Sequence, residues 1–496
     1  MSSICTIIAP DACIGCREEL VNLSKSIENK RTFEIYNKNE VYVGICTETS
    51  KNDVESIIYK GVRYSYCFCG ELYNSEALAQ KIKAELGYSP IESISAGVIA
   101  TWCYILWGGF SPKMLSGKFA YAIYSEGIFK TSPQTPKLFI AKDRFGFIPL
   151  YYYQNNRGDI YISSSLESML NIKGVKKEIS LSGLWQAFYL NGMTLPNKTM
   201  FDDINQLEAG HCAYIDCRGK SKIMIKRYDN TSTYKPASDI TLNQALENSF
   251  TARNAYIKEN AITQDDADLN FFDIEKSVTT TLLPINPTIY GHLNQMKSKN
   301  TLISDIGKEL MCAQNICCMR GFFSWISDPY ENIELLNRDL LKLSDGFDFI
   351  NNERLKRLDP DSEKYELDSL YHFYLPMLLP NTEAIAAKLS LNIKYPYCDE
   401  GLVEYLYVKN QACESANESK RIHKRTYRTK NSEFEHHLIS ELTKVISNSE
   451  SLLNYISDKE KLKNALLRGM ISDDIILLYS LHLVFDKFNL DLNIRA

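Results

Sequence analysis

Ala141-Lys-Asp-Arg-Phe-Gly-Phe-Ile-Pro-Leu-Tyr-Tyr152 carries the clearest signature of the fold. Apolar residues on either side, Lys137 to Ala141 and Leu150 to Tyr153, have the aromatic and β-branched character of strands. Between them Asp143, Arg144, Gly146 and Pro149 are turn residues, so the stretch reads as strand, turn, strand. Before and after it, Arg63 to Phe68, Phe119 to Tyr124 and Ile160 to Ser164 repeat the strand texture. Two segments interrupt it with apolar residues at helical spacing, Ser75 to Leu86 and Ala96 to Leu106. A strand-rich chain with a few helices predicts packed sheets in an α+β layer arrangement.

Beyond a polar linker, Tyr228 to Ser238, the texture turns helical. Leu242 to Tyr256, Tyr365 to Leu375, Thr382 to Leu391, His436 to Ser447 and Ser472 to Phe488 fit a 3.6-residue period. Pro376 reads as the stop of the second of these. Asn300 to Ser304 reads as one short buried strand. The 496 residues exceed what one core organises, and the expected domains are 1–230 and 235–496. A net charge of -5 offers nucleic acid or an anionic membrane no electrostatic purchase. The first residues lack a basic, then apolar, leader, and no apolar run reaches the roughly 18 residues of a spanning helix. The expectation is a cytoplasmic protein with no nucleic acid and no membrane among its partners.

Further motifs accompany the opening stretch in a fixed order. Cys69-Gly-Glu-Leu-Tyr-Asn74 and Leu115-Ser-Gly-Lys-Phe-Ala-Tyr-Ala-Ile-Tyr124 precede it. Ser163 to Ser168, Leu207 to His211 and Arg227-Tyr228 follow. Ile274 to Thr280, Leu302 to Leu310, Ile393 to Asp399 and Ser419 to Arg428 continue the series. Together they resemble the glutamine-hydrolysing asparagine synthetases over nearly the whole chain. The resemblance implies an N-terminal-nucleophile sandwich of two stacked sheets with flanking helices. A mainly helical, truncated α/β synthetase-like domain would follow it.

What the resemblance implies about chemistry is degeneracy. The family opens Met-Cys-Gly-Ile, and its N-terminal cysteine attacks glutamine with its own α-amine as base. Here the position is Ser2, and Cys5 has no free amine. A serine can serve as nucleophile in this fold, so an amidohydrolase working through Ser2 stays open. The family's oxyanion-hole Asn-Gly pair is Cys69-Gly70, and losing one such donor costs ~10²–10³ in rate. The arginine that grips the substrate carboxylate should follow the strand near Val43, where the chain reads Gly44-Ile-Cys-Thr-Glu48. Lys30 to Glu34 stands for an Arg-Gly-Pro-Asp motif, and Ile94-Ser-Ala-Gly97 lacks the aspartate that holds the α-amine.

In the second domain the family's pyrophosphate loop, Ser-Gly-Gly-x-Asp-Ser after a strand, cradles ATP and helps hold Mg²⁺. Between Tyr256 and Phe272 the chain is polar and too short for a strand–loop–helix–strand unit, and Lys308 stands where an acid should coordinate the ion. Asp305, Asp399, Lys420 and Lys424 remain as acceptor-side candidates. Asp399 reads equally as a helix N-cap, and Lys420 with Arg421, Arg425 and Arg428 as a solvated face. Fourteen cysteines read as reduced core thiols, with a Cys13, Cys16, Cys67, Cys69 zinc site as the alternative.

The expectation is therefore a pseudoenzyme with no cofactor of its own. Its partners would be a protein or itself, as a homodimer or a heterodimer with a catalytic relative, or a peptide or small acceptor. The competing reading is an amide-forming ligase that uses ATP and Mg²⁺ through a partner subunit.

Overall fold

The computed structural model describes residues 4–9, 16–23, 30–37, 41–48, 55–91, 94–128, 137–190, 192–217, 222–234, 240–253, 261–262, 301–304, 306, 335–337, 339–340, 346–359, 362, 364–389, 391–409, 432–469 and 471–493. The chain divides into two compact units. The first comprises Met1–Lys176, Asp203–Lys235 and Asp399–Glu404; the second comprises Lys177–Asp202, Pro236–Cys398 and Tyr405–Ala496.

The first unit holds two six-stranded antiparallel sheets. One is built from β1 (Ile4–Ala9), β2 (Lys30–Asn37), β3 (Val41–Glu48), β8 (Tyr151–Gln154), β9 (Ile160–Ser163) and β11 (Asn205–Gln206), in the order β11-β8-β9-β1-β3-β2. The other contains β4 (Ser56–Tyr59), β5 (Val62–Leu72), β6 (Gly117–Gly127), β7 (Lys137–Lys142), β12 (His211–Asp216) and β13 (Ile223–Arg227), in the order β13-β12-β7-β6-β5-β4. β6 is central, and its residues Gly117 to Ser125 are buried without alternation, as a strand covered on both faces must be.

One face of this second sheet carries Tyr64, Tyr66, Phe119, Tyr121, Ile123, Phe139 and Cys212. The helices α2 (Ser75–Leu86) and α3 (Ala96–Trp107) pack on it. α2 has the bounds its periodicity predicts; Gly87, in the left-handed region, ends it. α3 starts at Ser95, whose hydroxyl accepts from the Val98 N–H. A Cβ on Gly97 would sit 2.7 Å from the Tyr66 ring, so this glycine lets the helix lie close on the sheet. The aromatic run Trp102 to Phe110 is divided: Trp102 and Cys103 are core, and Phe110 is exposed.

The first sheet is covered on its outer face by α1 (Cys16–Leu23). The Tyr161 hydroxyl donates to Glu19, and the Cys5 thiol reaches the Leu23 carbonyl at 3.6 Å. Cys5 and Ile7 therefore face α1, and Ile4, Thr6 and Ile8 face the second sheet, where β1 lies against β5.

The second unit is mainly helical. Its three-stranded parallel sheet has the order β14 (Ala261–Ile262), β15 (Thr301–Ser304), β16 (Asn392–Lys394). β15 matches the strand read from sequence. The two-residue β14 lies in a stretch whose sequence predicts no strand. A separate parallel pair joins β10 (Glu178–Ser180) to β17 (Asp491–Asn493).

Pro376 does not stop a helix. The chain runs helically from Tyr365 through a π turn, Leu370–Tyr374, into Leu375–Lys388. The Leu375 N–H bonds the Leu370 carbonyl, five residues back. That wider turn gives the pyrrolidine ring room that an α turn would deny it. Leu242 to Tyr256 also ends early, at Ala252.

Candidate functional site

The corner Cys69-Gly70 stands near the end of β5, paired with Ala120 and Phe119 of β6. Gly70 has φ +113, and a Cβ there would lie 1.9 Å from the Lys118 carbonyl oxygen. Gly117, across the same two strands, has φ +152, and its Cβ would meet the Glu71 carbonyl oxygen at 2.1 Å. Only glycine fits at either position, so the backbone geometry of this corner is fixed by sequence. Cys69 beside it is buried, on the face shared with Cys67 and turned away from α2 and α3.

Some of the other positions that the resemblance singles out fall within regular structure. Cys5 is fully buried within β1, its Sγ 3.2 Å from the Ser163 hydroxyl, so it is a core thiol. Ser2 lies outside the described residues. β3 runs on to Glu48, with Thr47 paired to Ile4, and no arginine occurs in it. The segment Ile94 to Gly97, lacking the expected acid, is the start of α3, where Ser95 caps the helix.

The turn between β7 and β8 is a polar anchor. Asp143 is fully buried. Its Oδ1 accepts from the N–H groups of Phe145 (3.0 Å), Gly146 (2.7 Å) and Phe147 (3.2 Å), and its Oδ2 from Phe119 (3.2 Å). Burial pushes the Asp143 carboxyl up, to about 7, against the pull of Lys142 and these backbone donors.

Arg144 reaches out from the same turn. Its guanidinium donates to Glu404 Oε1 at 2.8 Å and to the Lys113 carbonyl at 3.0 Å, and lies 3.7 Å from Asp229 Oδ1. The Tyr234 hydroxyl donates to the same Asp229 oxygen at 2.8 Å. Glu400 accepts from the Ser116 hydroxyl at 2.7 Å and the Gly117 N–H at 3.2 Å. These polar groups tie neighbouring segments of the first unit to one another.

Two buried lysines stand where the sequence pattern alone shows no site, Lys118 on β6 and Lys142 at the end of β7, each 1% exposed. A lysine beside Phe119 in an otherwise apolar strand is the signal available for the first.

In the second unit, Asp305, Lys308, Lys420 and Lys424 lie outside the described residues, as does most of Tyr256 to Phe272. Asp399 is an N-cap: its Oδ1 accepts from Leu402 N–H at 2.9 Å, opening the helix Glu400–Lys409. Among the described residues no group of three His, Cys, Asp or Glu side chains is placed to hold a metal ion. Cys13 lies outside them, as does the Cys16 side chain; Cys67 and Cys69 are buried in β5. No described helix is long and apolar enough to cross a membrane.

Comparison with known proteins finds similarity over part of the chain. Residues 48–229 match the glutamine amidotransferase domain family. Asparagine synthetase [glutamine-hydrolyzing] 3 of Bacillus subtilis (strain 168) is 28% identical over 177 residues, 36% of this chain and 27% of that protein. The matched stretch is thus well under half of either chain. A solved structure of glutamine phosphoribosylpyrophosphate amidotransferase from B. subtilis, with ADP and GMP, aligns over 52% of this chain and 60% of its own. It does so with 14% identity and a TM-score of 0.31, too slight a likeness to argue from. The N-terminal region is asparagine synthetase-like, and it holds two antiparallel sheets with flanking helices.

Proposed function

We propose that this chain is a non-catalytic relative of the asparagine synthetases, a pseudoenzyme that acts as a binding or scaffold partner. The observation that carries the reading is the Cys69-Gly70 corner. Gly70 and Gly117 keep its backbone, while the residue beside Gly70, which should supply a side-chain amide to a developing oxyanion, supplies a buried thiol. A thiol is a weak donor, and acyl-transfer catalysis draws most of its rate from preorganised donors aimed at the oxyanion. The absent arginine and aspartate point the same way.

The scaffold reading is tested by sedimentation of the purified full chain, alone and with partners recovered from host lysate. Self-association, or a defined complex with an amidotransferase relative, is expected, with an interface on the order of 1,200 Å² or more. A monomer with no recovered partner contradicts it. The alternative, a ligase dependent on a catalytic subunit, rests on the family's use of ATP. Calorimetry with Mg-ATP should give no micromolar binding to the isolated chain; micromolar binding, or pyrophosphate release with any acceptor, would favour the ligase.

A further inference from the structure

β13 stands at one end of the second sheet, and among the described residues it pairs with β12 alone. An edge strand carries a row of N–H and C=O groups along its free side. Met224 stands opposite Tyr214 and Lys226 opposite Cys212, both on the face that α3 covers. Lys222, just before the strand, continues that alternation. Ile223, Ile225 and Arg227 stand on the other face.

The edge is exposed and apolar at its centre, where Met224 is 50% and Ile225 43% exposed. The 3₁₀ turn Gly108–Phe110 lies against Tyr214: a Cβ on Gly109 would meet its hydroxyl oxygen at 1.8 Å. Phe110, next in the turn, is 76% exposed. Around that centre Lys222, Lys226 and Arg227 are exposed, with the Lys226 ammonium 5.8 Å from the Tyr214 ring centroid. Lysines on an edge ordinarily keep other strands away. Protection alone leaves the apolar centre unexplained, whereas cations around an apolar contact select one kind of strand. A second copy is the wrong kind. Paired antiparallel about Ile225, it would set Lys222 and Lys226 of both chains along one face.

We propose that the β13 edge receives an extended acidic and apolar segment of a partner protein as an added antiparallel strand. Backbone hydrogen bonds carry the pairing, as in other strand additions. Apolar side chains of the segment cover Ile223, Met224 and Ile225, and its carboxylates stand opposite Lys222, Lys226 and Arg227. The inference deepens the scaffold reading by naming one surface and one partner chemistry. If it fails, a complex formed elsewhere on the chain leaves that reading standing.

The probe is a fluorescein-labelled peptide, Glu-Glu-Val-Leu-Val-Glu, which runs antiparallel to the stretch from Lys222 to Arg227. Its anisotropy should rise saturably with the full chain, and a Lys-Lys-Val-Leu-Val-Lys peptide should bind at least about tenfold more weakly. The double variant Lys222→Glu, Lys226→Glu changes exposed residues and should reverse that order. Of two acidic peptides N-methylated at alternate residues, one should lose binding and the other keep it, because one side of a strand meets the edge. An acidic peptide that does not bind, or binds wild type and double variant equally, would overturn the proposal. So would equal binding by the two methylated peptides. Self-association of wild type that Ile225→Lys abolishes would also overturn it, giving the edge to a second copy.

Discussion

Gly70 and Gly117 press against the Lys118 and Glu71 carbonyls of opposing strands, so the corner they frame tolerates no side chain. Gly70→Ala should cost about 2–4 kcal/mol, from a disfavoured φ and an overlap with backbone that cannot move aside. Urea unfolding measures it, and a loss under about 1 kcal/mol would mean that the two strands can part. Lys142 makes a second prediction for a single residue. Its folded value, about 8, lies below the ordinary 10.5, so its burial disfavours the folded state fully below pH 8. That cost, about 3 kcal/mol, is relieved as pH rises from 8 toward 10.5. In chloride buffer wild type should gain stability relative to Lys142→Met across that window, with the variant ahead at pH 7. A difference constant from pH 7 to 10.5 would show that the amine is not buried as described. Neither feature of Lys142 is legible in the sequence: burial of a strand-end lysine depends on what the other sheet brings over it.

Among the elements, the polar anchor around Arg144 fixes the turn Asp143 to Pro149 to residues 400–404 and to Asp229 within the first unit. Arg144→Ala would take the guanidinium away from the nearly buried Asp229, and removing one partner of such a pair costs about 3–5 kcal/mol. Arg144→Lys should recover little of it, because an ammonium cannot hold Glu404, Asp229 and the Lys113 carbonyl from one plane. Calorimetric unfolding of the two variants separates these outcomes; full rescue by lysine would reduce the anchor to charge alone. Strands β5 to β9 of the first unit are legible within a few residues, because aromatic and β-branched runs alternate there with turn residues. Pro376 misleads because a π turn can make room for a proline that an α turn cannot. β14 escapes detection because two residues carry no period at all.

For the whole molecule, the frame is more legible than the site. Many ordered motifs specify turns and packing, and those turns are present: Asp143 gathers its four N–H groups, and Asp399 caps a helix. The chemistry is harder to read, since Ser2, Asp305, Lys308 and Lys420 lie outside the described residues. Within the described ones, the proposed loss of glutamine chemistry rests on Cys69, the arginine-free β3 and the Ser95 cap. By this reading the first unit keeps an amidotransferase frame without glutamine chemistry. Ammonia release from glutamine by the full chain tests it, beside Ser2→Ala, with the N-terminus first established by mass spectrometry. Release no greater than the buffer blank is predicted for both proteins; release by wild type that Ser2→Ala abolishes would contradict it.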